Sequence, residues 1–300
     1  MSPSHRILLA QLLVFITPAF WSANYIVARA GIGVIEPHML AFLRWLFAFC
    51  LMLPFALPEL RRHWPVWRRE WKDFLLMGAL GMWICGAFVY IGGQTTEALN
   101  IGLIYASAPV AIAVISARLF SERLHGWQIV GSVLSISGAL LIIARGSWQN
   151  LISVQFTHGD IWIVVAVISW TTYSILLKHR QSVLGTFARL TIITFGGVIV
   201  LAPLTAIEYL YAGGPDDWSI ALWLSVVVAV LPGFGAYQAY SFMQKELGAA
   251  RAGQVLYLGP LYTALIAWWL LSEPPFWFHL AGAMLILPGM YLATRYSDKG

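Results

Sequence analysis

Arg44 sits inside the apolar run AFLRWLFAFC, where a guanidinium is costly unless something meets its charge. A freed backbone carbonyl, the carboxylate of Glu97 or a carboxylate carried by a bound solute would each serve. Other groups that could form a site recur at helical spacing within apolar runs. Trp21 precedes Asn24 by three residues and Tyr25 by four, and Tyr237 stands in the same relation to Tyr240 and Ser241, so each set shares a helix face. Trp170 and Tyr173 occupy a stretch that matches the first of these sets, and Tyr90, Gln94, Tyr105 and Tyr257 lie in further apolar runs. Taken singly, such side chains serve helix or lipid packing. As a set they suit a cavity for a small solute, part polar and part apolar, because tyrosine and tryptophan faces accept an ammonium group and stack on a planar ring.

Other kinds of chemistry find no support. The 13 acidic residues all fall in loops or at the ends of apolar runs, so no carboxylate is expected at mid-membrane, where proton-coupled carriers keep one. The seven histidines form no ligand cluster, and neither a metal nor a cofactor is expected. A His-Glu-x-x-His pair, a Gly-x-Ser-x-Gly elbow and a phosphate-cradling loop are all missing from the sequence, which argues against an enzyme and leaves no catalytic residue to name. Cys50 and Cys85 both lie within apolar runs, which argues against a disulfide framework.

The elements that must position these groups are membrane spans. Sixty per cent of the residues are apolar and 10% charged, with a mean hydropathy of +0.76, against roughly 25% charged in soluble domains. The chain therefore reads as an integral protein of the lipid bilayer. Its net charge of +5 belongs to the loops and implies no nucleic-acid partner, and its 15 tryptophans suit aromatic belts at the two interfaces. At about 20 residues per span, ten are expected, near 7–28, 38–57, 73–94, 98–119, 126–144, 160–178, 185–207, 219–242, 248–271 and 277–295. Spanning strands would be about 10 residues long and would alternate in polarity, so the expected fold is all-α. The first run is read as a span rather than a cleaved signal. With the N-terminus inside, 14 of the 18 Lys and Arg fall in inner segments, and Arg29 and Arg145 alone in outer ones, which predicts both termini in the cytoplasm. The inner loop LRRHWPVWRREW places Trp64, Trp67 and Trp71 on one helical face and is expected to lie along the inner surface, basic groups toward anionic headgroups.

The stretch from Ala98 to Ile143 matches Ala249 to Thr294, 151 residues on, at 12 of 46 positions. The matches include Pro109 with Pro260, Ser121-Glu122 with Ser272-Glu273, and Gly131 and Gly138 with Gly282 and Gly289. Trp21-Ser22 likewise meets Trp170-Thr171 at an offset of 149. One unit used twice predicts two copies, residues 1–147 and 148–300. Each copy holds five spans, an odd number, so the second enters the membrane from the opposite side. Inverted repeats of this kind imply a pseudo-two-fold axis in the membrane plane and a midplane site opened alternately to each side. Pro109 and Pro260 recur at the repeat offset, and each frees the carbonyl four residues earlier, Tyr105 or Leu256. Both are expected to kink their helices toward the interior or a cavity.

A proline in the fourth span, Ser-Glu at its end and Gly-x6-Gly in the fifth, carried here by Pro109, Ser121-Glu122, Gly131 and Gly138, resemble the EamA-type members of the drug/metabolite transporter superfamily. The resemblance covers the whole chain. Within that superfamily the length, the tryptophan-rich spans and the opening FWSANYIVARAG resemble the aromatic amino acid exporters. The second copy departs from the usual pattern, since Pro274-Pro275 follow Ser272-Glu273 where a basic residue is usual, which bears on the outer loop alone. The resemblance implies a multi-pass exporter of amino acids in the bacterial inner membrane, working without a cofactor, and by itself identifies no site residue. An exporter of cationic drugs would favour the same tyrosine and tryptophan faces. A nucleotide-sugar or lipid-precursor carrier would want several basic residues at the cavity, where only Arg44 is expected. A membrane-embedded enzyme or a receptor fits ten repeated spans poorly.

Overall fold

A computed structural model of the chain describes residues 3–96, 98–120, 124–180, 182–271 and 275–295. Glu97, both Ser-Glu pairs and the side chain of Tyr25 lie outside the described residues. Every regular element among them is helical: two short helices, Trp64–Trp67 and Trp148–Ile152, and ten longer units, α1 (Pro3–Ala30), α2 (Pro37–Arg62), α3 (Trp71–Gly93), α4 (Ala98–Ala106 and Ala108–Phe120), α5 (Gly126–Ile143), α6 (His158–His179), α7 (Thr186–Ala212), α8 (Trp218–Leu247), α9 (Ala249–Gly253, Gln254–Leu258 and Gly259–Leu271) and α10 (Trp277–Arg295). Nine of them, α9 excepted, are long and apolar enough to cross a membrane. The chain is a multi-pass membrane protein. Large apolar side chains face outward at many points, with Trp269 82% and Leu210 81% exposed, as lipid permits and water would not.

The expected 248–271 span is present but broken, and the reason is local. A 3-10 turn over Gln254–Leu258 separates two α-helical pieces, and Pro260, the second residue of the next piece, has no N–H to give to Leu256. The helix α4 breaks in a comparable place. Ser107 interrupts it two residues before Pro109, and the Ser107 hydroxyl donates to the Ile104 carbonyl at 2.6 Å. Two further irregularities were invisible in the apolar pattern. The helices α3 and α8 each contain a π-helical stretch, Ala79–Ile84 and Ala229–Ala236.

Helix pairing sets the frame around these irregular segments. The closest partnership joins α5 to α10, and α2 packs along α7, α3 against α6, and α1 against α8. Where α5 crosses α10, a Cβ on Gly138 would lie 2.6 Å from the Gly282 carbonyl oxygen, and one on Gly289 2.7 Å from that of Gly131. Only glycine permits backbones this close. Each member of the α2–α7 pair carries a carboxylate near its C-terminal end that caps the other's start. Glu59 accepts from the Gly185 N–H at 2.6 Å. Glu208 accepts from the N–H groups of His38 (3.1 Å) and Met39 (2.9 Å), and its Oε1 lies 2.9 Å from His38 Nδ1. Helix N-termini present unpaired N–H groups and partial positive charge, so a carboxylate there is stabilising. These acids read from sequence only as residues at span ends; the fold shows what that position is for.

A third acid departs further from expectation. Asp160 is 3% exposed, although the sequence places it at the start of a span. Its Oδ2 accepts from the Thr157 N–H at 2.6 Å and from Asn100 Nδ2 at 2.8 Å. It closes the first turn of α6 as one half of a capping box.

Candidate functional site

The spans converge on a cavity of about 70 Å³ walled by α1, α2, α3, α4, α6, α8 and α9. Six of the residues expected to form a site line it: Trp21, Asn24, Arg44, Tyr105, Trp170 and Tyr237, together with Cys85, Val89 and Leu256. Arg44 is 3% exposed, and so lies as deep as its place in the apolar run predicts. Its Nη1 donates to Asn24 Oδ1 at 3.1 Å and to Tyr90 Oη at 3.2 Å, and Tyr90 donates in turn to Asn24 Oδ1 at 2.6 Å. One neutral triangle from three helices thus fixes one end of the guanidinium. Its carbon also lies 4.6 Å from the Trp45 ring centre and 5.9 Å from that of Tyr237, a contact that favours the cation. No carboxylate among the described residues pairs with it.

Aromatic rings close the cavity on the side toward the C-terminal end of α8. Trp21 meets Trp170 edge-on at 5.4 Å and Tyr237 at 6.3 Å, while Trp170 tilts against Tyr240 at 4.9 Å and Tyr173 at 5.6 Å. Beyond them the Tyr240 hydroxyl lies 3.0 Å from Ser174 Oγ, and Gln244 Nε2 donates to the Ser174 carbonyl at 3.0 Å. This is a packed plug with no room for solute. On the opposite side the cavity adjoins the part of the bundle that holds Arg44, Asn24 and Val89.

The π turn of α3 forms part of the wall and shows how the site is held. A π turn inserts one residue and takes carbonyls out of the regular ladder. Here three successive carbonyls each gain a side-chain donor from another helix: Leu80 from Ser169 Oγ (2.9 Å), Gly81 from Tyr237 Oη (2.8 Å) and Met82 from Trp45 Nε1 (3.0 Å). Trp45 and Ser169 therefore belong to the site's support, Tyr237 serves both support and wall, and Cys85, the residue just after the π turn, belongs to the wall. Their sequence signal was slight. Trp45 follows Arg44, but nothing in the apolar pattern marks a π turn.

The remaining candidates separate. Tyr173 packs beneath Trp170 and Tyr237 in the plug. Ser241 and Tyr257 are buried with hydroxyls that find no partner among the described residues, but neither lines the cavity. Gln94 is a correction: it is exposed, just past the end of α3, because the helix stops at Gly93 and turns outward. Pro109 is buried in α4, and Pro260 is the second residue of the last piece of α9, just after the cavity residue Gly259. A larger cavity of about 310 Å³ lies between α4, α5, α9 and α10, but its walls are chiefly Val110, Ile129, Val133 and similar groups. The smaller cavity is where charge and hydrogen-bonding groups converge, and convergence rather than volume marks a specific site.

Comparison with known proteins fits this architecture. The model of the EamA-like transporter family matches residues 8–144 and again 157–295. The chain belongs to that family. It is 24% identical to an uncharacterized transporter of Archaeoglobus fulgidus over 95% of this chain and 96% of the relative. It is 27% identical to the uncharacterized transporter YdfC of Bacillus subtilis, over 93% and 90% of the two chains. A probable terminal-alkyne amino-acid exporter of Streptantibioticus cattleyicolor is 26% identical over 76% of this chain and 74% of its own. A crystal structure of another protein has the same fold, with a TM-score of 0.71 at 19% identity over 95% of this chain and 96% of that one. The chain is thus a membrane transporter, and its relatives are named as transporters rather than enzymes.

Proposed function

We propose that this transporter exports amino acids, aromatic and other apolar ones foremost, across the bacterial inner membrane by alternating access. The observation that carries the reading is the central cavity itself, where a buried cation and a set of aromatic rings meet. An amino acid offers complementary parts: a carboxylate, an ammonium group that aromatic faces accept, and a side chain for an apolar wall. The name of the Streptantibioticus relative supports the same class.

In this reading the halves 1–147 and 148–300 are related by an axis in the membrane plane, with both termini in the cytoplasm. Several features support it: the family match in each half, one π turn per half, the reciprocal carboxylate caps on α2 and α7, and the two glycine contacts of α5 with α10. The aromatic plug then closes the cytoplasmic side, and export requires it to part while the opposite side seals.

The deciding experiment measures exchange of labelled phenylalanine across liposomes holding the purified protein, with unlabelled amino acids, methyl viologen and a nucleotide sugar as competitors. Exchange competed by several amino acids is the expected result. Absence of exchange under any imposed gradient, with uptake of methyl viologen instead, would replace the reading by export of cationic drugs.

A further inference from the structure

The guanidinium of Arg44 is only half used. It has five N–H donors arranged around a plane. Nη1 makes both of the hydrogen bonds that hold it, to Asn24 and Tyr90. Among the described residues Nε is buried without a partner, and none of them accepts a bond from Nη2. The Nε and Nη2 donors lie along one edge of the group and point the same way, which is the fork that receives the two oxygens of a carboxylate. Burial at 3% exposure keeps water from serving that edge well, and a buried cation with an unsatisfied edge is destabilising until an anion completes it. The described residues around it add no negative charge: Asn24, Tyr90, Trp45, Tyr105 and Tyr237 are all neutral.

We infer that the open edge of Arg44 is a carboxylate anchor, and that a free carboxylate is an obligatory feature of the solute this cavity binds. The inference rests on the amino acid reading above and sharpens it, because it makes the carboxylate the selected group and the ammonium a secondary one. The cavity's volume agrees. About 70 Å³ of water-accessible space holds a few waters, room for the head of such a solute beside Arg44, while its side chain needs the aromatic walls to move apart. Asn24 and Tyr90 are positioning residues here. They occupy Nη1 and so leave the Nε–Nη2 edge for a solute.

The test separates the two charged ends of phenylalanine. Thermal protection of the purified protein in detergent is measured with phenylalanine, 3-phenylpropanoate, 2-phenylethylamine and phenylalanine amide, alongside the exchange assay. Protection by the first two and not by the last two is expected. Arg44→Gln is expected to weaken protection by both carboxylates roughly tenfold to a hundredfold, the scale of a lost charge-assisted pair, with Arg44→Lys between the two, since an ammonium lacks the fork. If Arg44→Gln fails to fold, Tyr90→Phe supplies the second variant and should weaken both carboxylates by a similar factor to each other. Equal protection by 2-phenylethylamine and phenylalanine would overturn the anchor even with amino acid exchange intact. Protection by 3-phenylpropanoate without phenylalanine exchange would uphold the anchor and remove the amino acid reading. No protection by any of the four at millimolar concentration would overturn the anchor.

Discussion

The helices α3 and α8 both contain a π turn, and the two are held in opposite ways. In α3 the displaced carbonyls of Leu80, Gly81 and Met82 are each taken by a side chain from a different helix. In α8 no side-chain donor among the described residues reaches a carbonyl between Ala229 and Ala236, and Pro232 removes a backbone donor as well. A π turn whose carbonyls are individually claimed is a fixed post. One whose carbonyls are left to the helix alone can change register at lower cost. The cavity thus has one stiff wall and one compliant wall, although both helices look alike in their apolar pattern.

The largest effect should come from filling the space beside the stiff wall. A Cβ on Gly81 would stand 2.8 Å from the ring of Tyr173, which is fully buried and has nowhere to retreat. Gly81→Ala is expected to cost about 2–3 kcal/mol through overpacking. The matched change in α8, Gly235→Ala, meets the partly exposed Phe20 ring at 3.2 Å and should cost less than about 1 kcal/mol. Unfolding in detergent micelles reads both, and similar losses in the two would break the contrast.

A smaller effect should follow from deleting the clamps one at a time. Tyr237→Phe keeps the ring but leaves the Gly81 carbonyl unclaimed, at an expected loss of about 1–2 kcal/mol, and Ser169→Ala should lose about 1 kcal/mol at Leu80. Because the three donors act on successive carbonyls, the double variant should lose more than the sum of the singles. Strict additivity would mean that the α3 turn is held by its own helix after all.

The smallest effect concerns the start of α8, where the compliant helix is fastened. The Ser219 hydroxyl, with the Ser219 and Ile220 N–H groups, donates to Asp217 and holds its carboxyl below the usual carboxylate range. A depressed carboxylate contributes stability above its unfolded pKa of about 3.9 and loses it as the pH falls through the lower folded value. A modest fall in melting temperature is therefore expected on acidification from pH 6 to pH 3, and Asp217→Asn should remove that share of the fall. An unchanged acid response in the variant would detach the cap from the stability of α8.

The sequence made the larger features of the site legible because they rest on composition and spacing. Arg44 stood out as a charge in an apolar run, and Trp21, Trp170 and Tyr237 stood out as aromatics on shared helical faces. Pro109 and Pro260 stood out because they recur at the repeat offset, and both lie beside a break, whereas Pro18, Pro203 and Pro288 sit inside helices that run on past them. What stayed hidden depends on contacts between distant helices. Asn24 and Tyr90 meet Arg44 from 20 and 46 residues away, and no periodicity within one helix encodes that meeting. The π turns stayed hidden because one inserted residue leaves apolar composition unchanged. Gln94 misled because a polar residue near the end of a run looks the same whether the helix continues past it or stops.

The glycine crossing of α5 and α10 has a consequence for how such a protein can be altered. At Gly138, Gly282 and Gly289, any replacement adds at least one carbon where a backbone atom of the opposing helix already stands at 2.6–2.9 Å. No sequence of single viable steps leads away from that seam, whereas the rings and aliphatic groups around the cavity can be exchanged one by one. Variation is thereby channelled. A library built on this scaffold should hold those glycines constant and spend its diversity on positions such as Val89, Tyr105 and Leu256, where a new side chain alters what the cavity accepts without asking two helices to move apart.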